Sequence, residues 1–124
     1  MDADAKERPT GQLVYKITTV QAWDAASHAG RYDGNADDAR DGFIHLSTGE
    51  QVAGTLAKHY AGAGDLLLIA YAATDLNALR WEPSRGGALF PHQYGTLDPA
   101  QARHVLTLAA DGQGGHTLPD EVQR

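Results

Sequence analysis

Two short stretches of this chain carry the residue types that most often do chemistry. The first, DGFIHLST, alternates in the way that places neighbouring side chains on opposite faces of a β-strand. If Ile44 and Leu46 face the core, Phe43, His45 and Ser47 share the opposite face. That face combines an aromatic ring, an imidazole and a hydroxyl group. The spacing favours two roles for His45 equally. One is a functional histidine, and the other is a structural histidine that is hydrogen-bonded to a backbone carbonyl.

The second stretch is SRGGALFPHQYG. Arg85 precedes Gly86 and Gly87, and glycines let backbone amides approach an anion that an arginine can bind through two hydrogen bonds. A plain turn is the stronger interpretation of this Gly-Gly pair taken alone. His92 and Tyr94 are two residues apart in an extended segment, so both can orient a ligand hydroxyl or stack on a flat ring. A proline-bounded edge strand with a half-buried tyrosine is the alternative.

The other charged residues favour ordinary roles. Arg80 and Glu82 lie on one side of a predicted strand, which is typical of a surface ion pair. Asp37, Asp38 and Asp41 fall in an acidic segment without the spacing of a calcium-binding loop, and the sequence predicts a solvated loop. The six histidines include neither an i, i+4 pair nor an HExxH motif, and no metal site is predicted.

Length and composition limit the classes of function. The 124 residues fit one domain, and 42% hydrophobic residues are ordinary for a globular protein. A formal net charge of −6 argues against binding to duplex nucleic acid. There is no cysteine, which excludes disulfides and thiol chemistry, and no apolar run approaches the roughly 20 residues of a membrane span. We expect a cytoplasmic protein that binds neither membrane nor duplex nucleic acid.

Periodicity and turn residues predict the elements that position these side chains. A strand and a helix come first, and a long acidic loop at 31–42 follows them. A second strand and a second helix come next, and the rest of the chain is predicted to form mostly strands. The predicted strands are 13–18, 43–47, 65–72, 79–83 and 104–110, and the predicted helices run from 20 to a stop at Gly30 and from 48 to about 60. This order is typical of a mixed α+β fold.

The domain organisation follows from these elements. We predict a disordered polar tail at 1–11, a single α+β domain at 12–118 and a C-terminal tail at 119–124. The residues expected in the core are Trp23, Leu56, Leu66, Leu68, Val105 and either Leu106 or Leu108.

The two stretches, within a wider pattern over residues 13–110, resemble a family of small bacterial proteins known as domain of unknown function 952. That family is similar in fold to the ADP-ribosyltransferases, which use NAD. The resemblance therefore implies an α+β fold with a split, bent antiparallel sheet, two early helices and NAD in the cleft between the halves of the sheet. NAD would be a co-substrate, and a small nucleotide-like molecule the partner.

The resemblance also assigns roles to residues. It implies catalytic roles for His45, His92 and Tyr94, and cofactor binding by Tyr15, Lys16, Phe43, His45, Ser47, Arg85, Gly86 and Gly87. The chain departs from the pattern of those folds twice. Tyr15 or Lys16 stands where the first motif carries Arg or His, and FPHQYG lacks the glutamate of the third motif. The implied function is ADP-ribosyl transfer or NAD cleavage, and the alternative is a non-catalytic module that binds a small ligand or a protein.

Overall fold

The computed structural model describes residues 11–123 apart from the Arg85 side chain, and within them the chain forms eight strands and three α-helices. The strands are β1 (Leu13–Thr18), β2 (Ile44–His45), β3 (Ser47–Thr48), β4 (Leu66–Ala72), β5 (Leu79–Pro83), β6 (Leu89–Gln93), β7 (His104–Ala110) and β8 (His116–Thr117). The helices are α1 (Val20–Ala29), α2 (Ala36–Asp41) and α3 (Val52–His59).

All strand pairs are antiparallel, and they form a five-stranded sheet in the order β3-β1-β4-β7-β8 and a three-stranded sheet in the order β2-β6-β5. The chain passes between the sheets at Leu46, the single residue that separates β2 from β3. The predicted second strand is therefore two short strands in different sheets. The predicted mixed α+β class is confirmed, with a strongly curled antiparallel arrangement and few helices.

The central strand β4 is buried on both faces, as its nearly continuous apolar sequence predicts. On one face Ile69 packs in a cluster with Trp23 of α1, and on the other Leu68 packs in a cluster with Leu56 of α3. The two helices thus cover opposite faces of the five-stranded sheet. Of the predicted core residues, Val105 is an exception, because it is 50% exposed on β7.

Helix α1 begins and ends where the sequence predicts. The Thr19 side chain accepts a hydrogen bond from the Ala22 amide at 3.1 Å, and Gly30 adopts a left-handed conformation with φ of 76°. Helix α3 begins later than predicted. Thr48 and Gln51 do exchange side-chain to backbone hydrogen bonds at 3.0 and 3.3 Å, but they close a turn before the helix.

The acidic segment contains a helix rather than a continuous loop. The Asn35 side chain accepts from the Asp38 amide, and the Asp38 side chain accepts from the Asn35 amide, both at 2.9 Å, which forms a capping box for α2. Gly34 precedes the box with φ of 103°, and a Cβ there would lie 2.7 Å from the Asp38 Cβ. Glycine is thus required for Asp38 to turn inward, and the expectation that this aspartate is solvated was wrong, since it is 3% exposed.

The predicted polar tail lies outside the described residues up to residue 10. At the other end, Val122 is buried in the cluster that includes Leu56, and the Gln123 side chain accepts a hydrogen bond from the Leu13 amide at 2.7 Å. The C-terminal segment therefore packs along β1. The predicted domain boundaries stay a prediction. Within residues 11–123, no helix has both the length and the apolar character that a membrane span requires.

Candidate functional site

Two histidines meet at the junction of the sheets. His45 of β2 and His92 of β6 are paired directly across the antiparallel ladder, and their ring centroids lie 5.6 Å apart. Phe43 stacks on His92 at 4.0 Å and contacts His45 at 4.6 Å and Tyr94 at 5.2 Å, measured between ring centroids. The alternation in DGFIHLST places Phe43 and His45 on one face, and the pairing of β2 with β6 brings His92 and Tyr94 to them.

A buried carboxylate holds the first histidine. Oδ1 of Asp38 accepts from the ring Nδ1 of His45 at 2.6 Å and from the His45 amide at 3.0 Å. Oδ2 accepts from Lys16 Nζ at 2.8 Å and from the Asn35 amide at 2.9 Å. Lys16 also donates to the His45 carbonyl at 3.1 Å. Asp38 therefore joins α2, β1 and β2 through four hydrogen bonds.

The charges of this network depend on one another. Burial opposes ionisation of Asp38, but the hydrogen bond from His45 and the attraction of Lys16 outweigh it and lower the pKa of Asp38 to about 2. Burial lowers the pKa of Lys16, although Asp38 acts in the opposite direction. An ion pair in this setting stabilises the fold only while both partners are present.

A second carboxylate contacts the outer edge of the same ring. His45 Nε2 lies 2.9 Å from Oδ2 of Asp41, at the end of α2. Carboxylate oxygens only accept hydrogen bonds, so His45 satisfies both contacts together only when both ring nitrogens carry a hydrogen. Arg40 donates to Asp41 through Nε at 2.9 Å and Nη2 at 3.2 Å. The hydrogen bond from Arg40 is the main reason that the pKa of Asp41 is lowered.

The second histidine has its own carboxylate. Oε1 of Glu82 accepts from His92 Nδ1 at 2.8 Å and from the Tyr94 hydroxyl at 2.8 Å. These hydrogen bonds lower the pKa of Glu82, and the bond to Glu82 raises the pKa of Tyr94. The Arg80 guanidinium lies over the Tyr94 ring at 4.5 Å. The surface ion pair predicted between Arg80 and Glu82 is replaced by these contacts.

A cleft of about 480 Å³ opens beside the histidines, and both rings line it. Lys16, Tyr15 and Ser47 of the predicted cofactor-binding set line it too, but each is buried and has an internal partner. Lys16 is bonded to Asp38, the Tyr15 hydroxyl accepts from the Gln123 amide at 2.8 Å, and the Ser47 hydroxyl lies 3.0 Å from that of Thr55. Their predicted ligand contacts stay predictions.

The glycine-rich segment lies further out. Gly86 and Gly87 have positive φ of 67° and 81° and are exposed in a kinked turn between β5 and β6. The described lining of the cleft reaches Ser84 and does not include these glycines or Phe43 and Tyr94. The Arg85 side chain lies outside the described residues, so its predicted anion contact stays a prediction.

Three carboxylates that hold the histidines were not among the predicted site residues: Asp38, Asp41 and Glu82. One local signal existed, since Asn35 followed three residues later by Asp38 is a capping pattern that predicts a helix. Nothing local indicates that Glu82 faces His92, because that contact depends on the pairing of β5 with β6. Among the described residues, no group of three or more histidine or acidic side chains could hold a metal ion.

Residues 17–106 match a protein family described as "Protein of unknown function (DUF952)". The chain belongs to this family. No curated protein matches this chain. The match spans most of the chain and includes every histidine of the site together with its carboxylate, so this arrangement lies inside the family domain. The family resemblance stated from the two motifs is thereby confirmed.

Two structures of one DUF952 relative are similar to this chain. The crystal structure of protein CC0527 from Caulobacter crescentus has 45% sequence identity and a TM-score of 0.84, and the alignment covers 89% of this chain and 97% of that chain. The solution NMR structure of CC0527 has 46% identity and a TM-score of 0.75, with 83% and 90% covered. The fold described above is thus shared with an experimentally determined member.

Proposed function

We propose that the cleft binds a small nucleotide-like ligand, with NAD as the first candidate. The observation that supports the proposal is the pair of imidazole rings, each held at Nδ1 by a carboxylate and facing one cleft. The bond at Nδ1 fixes the orientation of each ring, as sites that recognise hydroxyl groups or charged oxygens require. A volume of about 480 Å³ is within the range of small-molecule sites.

Aromatic side chains support the choice of a nucleotide. Phe43 and Tyr94 pack against the histidines next to the cleft, outside its described lining, and their proposed role is to stack on a flat ring that extends from it. The proposed role of His45 is to hydrogen-bond the ribose and phosphate part of the ligand. The resemblance to ADP-ribosyltransferases points to NAD as that nucleotide. The resemblance also predicts that Arg85, Gly86 and Gly87 meet its pyrophosphate, and the two glycines lie outside the described lining of the cleft.

The first reaction to test is cleavage of the bond between ribose and nicotinamide. The bonding electrons leave with the nicotinamide nitrogen, which loses its positive charge, and the ribose passes through an oxocarbenium-like state. Water or another acceptor then adds to the ribose and releases one proton to the solvent. Because the leaving group is already cationic, no strong general acid is needed. The protein has to position the ribose and the acceptor, which is the role proposed for His45 and His92.

Binding without turnover is the second candidate, and one feature favours it. The His92 side chain is nearly buried, and both nitrogens of His45 already contact carboxylates. Neither histidine therefore offers a freely accessible base in the ligand-free protein. A ligand-binding module of this kind would take the same nucleotide and release no nicotinamide.

Calorimetry with NAD, NADP and ADP-ribose, alongside an assay for nicotinamide release, tests the proposal. His45→Ala should weaken binding roughly ten- to a hundredfold, as for loss of a hydrogen bond to a charged group. His104→Ala, the same substitution at an exposed histidine of β7, should leave binding unchanged. If the wild-type protein gives neither heat nor nicotinamide with any of the three at millimolar concentration, the nucleotide proposal is wrong and the protein-interaction alternative stands.

A further inference from the structure

We infer that the Asp41 carboxylate occupies, in the free protein, a subsite that receives an oxyanion group of the ligand, either a phosphate or a carboxylate. The inference rests on the proposed function, since it assigns the charged end of the ligand within the same cleft. A side chain of the protein itself would then compete with the ligand, and Asp41 would act as an internal inhibitor of binding.

The geometry around Asp41 is that of a bound anion. Oδ1 accepts from Arg40 Nε at 2.9 Å, and Oδ2 accepts from Arg40 Nη2 at 3.2 Å and lies 2.9 Å from His45 Nε2. A guanidinium that binds both oxygens through parallel hydrogen bonds is the arrangement that also recognises phosphates and carboxylates of ligands. Arg40, Asp41 and His45 all line the cleft, so a ligand can reach this position.

Only one of the two carboxylates on His45 can be displaced readily. Asp38 is buried, and its four hydrogen bonds hold α2 against β1 and β2. The side chains of Asp41 and Arg40 are exposed by 32% and 66%, and exposed ion pairs contribute little to stability. A phosphate brings more negative charge and more acceptor oxygens than one carboxylate does, so it should replace Asp41 on the same donors.

The remaining charges of the cleft favour an anion once Asp41 has moved. Lys16 is neutralised by Asp38, but Lys58 also lines the cleft and adds a positive charge. Asp37 is the opposing group, because its Oδ1 accepts from Arg40 Nη1 at 3.1 Å. Asp37 shares Arg40 with Asp41, and the structure shows no contact between Asp37 and His45 among the described residues. The two aspartates therefore form a matched pair for an experiment.

The test is titration of inorganic phosphate into the wild-type protein, Asp41→Asn and Asp37→Asn at low ionic strength, by calorimetry and by ¹⁵N NMR of the histidine rings. Each variant removes one negative charge next to Arg40, but only Asp41→Asn removes the carboxylate that contacts His45 Nε2. We expect Asp41→Asn to bind phosphate roughly tenfold or more tightly than wild type. Asp37→Asn should gain clearly less, and the His45 Nε2 resonance should shift with phosphate in Asp41→Asn.

Two results would overturn the inference: no gain in Asp41→Asn, or an equal gain in both variants, which would show a general charge effect. Melting curves check that the variants fold, and Asp41→Ser, subject to the same two outcomes, replaces Asp41→Asn if that variant is unfolded. The titrations separate this inference from the proposed function. NAD binding to wild type with no gain in Asp41→Asn refutes the inference alone, and a phosphate gain without NAD binding refutes the nucleotide proposal alone.

Discussion

The site contains two carboxylate–imidazole pairs that are built from the same groups with opposite burial. In the first pair the Asp38 side chain is 1% exposed and that of His45 is 35% exposed. In the second pair Glu82 is 33% exposed and His92 is 6% exposed. The distances between ring nitrogen and carboxylate oxygen are similar, 2.6 and 2.8 Å.

The buried member of each pair determines what the pair can do. Asp38 cannot exchange its protein partners for water, so the first pair anchors α2 and leaves an imidazole facing the cleft. In the second pair the imidazole is packed against Phe43, while the carboxylate has access to solvent. Loss of Asp38 should therefore destabilise the fold. Loss of Glu82 should mainly allow the side chains of His92 and Tyr94 to change their orientation.

The largest effect expected is from Asp38→Ala. Removing this carboxylate leaves Lys16 as a buried charge without its counter-ion, and breaking such a pair destabilises by about 3–5 kcal/mol. Chemical denaturation of the wild type and the variant measures the loss. The double variant Lys16→Met/Asp38→Ala should lose less than Asp38→Ala, because no isolated charge remains.

Asp33→Ala is the matched control for Asp38→Ala. Asp33 pairs with Arg31 at 2.7 Å, but the two side chains are exposed, so stability should barely change. If Asp38→Ala is as mild as Asp33→Ala, burial does not distinguish the first pair and the comparison fails.

The loss of stability from an apolar core substitution is a reference for the losses expected at the two carboxylate–imidazole pairs. Leu56→Ala removes a side chain that α3 buries against β4, and we expect a loss of about 2–5 kcal/mol in the free energy of unfolding. Leu89→Ala makes the same deletion at a side chain that is 53% exposed and should change stability little. Equal melting temperatures for Leu56→Ala and wild type would mean that α3 does not cover the sheet as described.

The pH dependence of stability measures the contribution of the buried Asp38 carboxylate. Because the folded-state pKa of Asp38, about 2, lies below the ordinary value of 3.8, folding favours the ionised form. Its contribution of about 2 kcal/mol is therefore complete above about pH 5 and is lost as pH falls towards 2. We expect the difference in the free energy of unfolding between the wild type and Asp38→Asn, measured by chemical denaturation, to decrease as the pH falls from 7 to 2. A constant difference would contradict the lowered pKa.

Among the variants of the two carboxylate–imidazole pairs, Glu82→Gln should have the smallest effect on stability. The amide keeps the shape of the side chain, and the exposed end can exchange hydrogen bonds with water, so the loss should be clearly smaller than for Asp38→Asn. The effect should appear in the site instead, as altered ¹⁵N shifts of His92 Nδ1 and faster motion of the Tyr94 ring by NMR. Unchanged signals at both residues would show that Glu82 does not hold them.

Local patterns in the sequence were sufficient for much of the fold. The apolar run at β4 predicts a strand buried on both faces, and Thr19 and Gly30 mark the ends of α1. The alternation of residues 43–47 predicts which side Phe43 and His45 share, and the two motifs identify the family. Each of these inferences depends on residues that are close in sequence, where periodicity and capping act directly.

Tertiary structure decided the partners of the histidines. Asp38 is buried because Lys16, 22 residues earlier, reaches it from β1, and a charged residue is buried only where such a partner exists. Glu82 reaches His92 because β5 pairs with β6 in one register, which no local pattern specifies. The sequence by itself determined strands β1, β4, β5 and β7, the caps of α1 and the face on which His45 lies. Which carboxylates hold the two rings was decided only by the folded chain, because those contacts join segments distant in sequence.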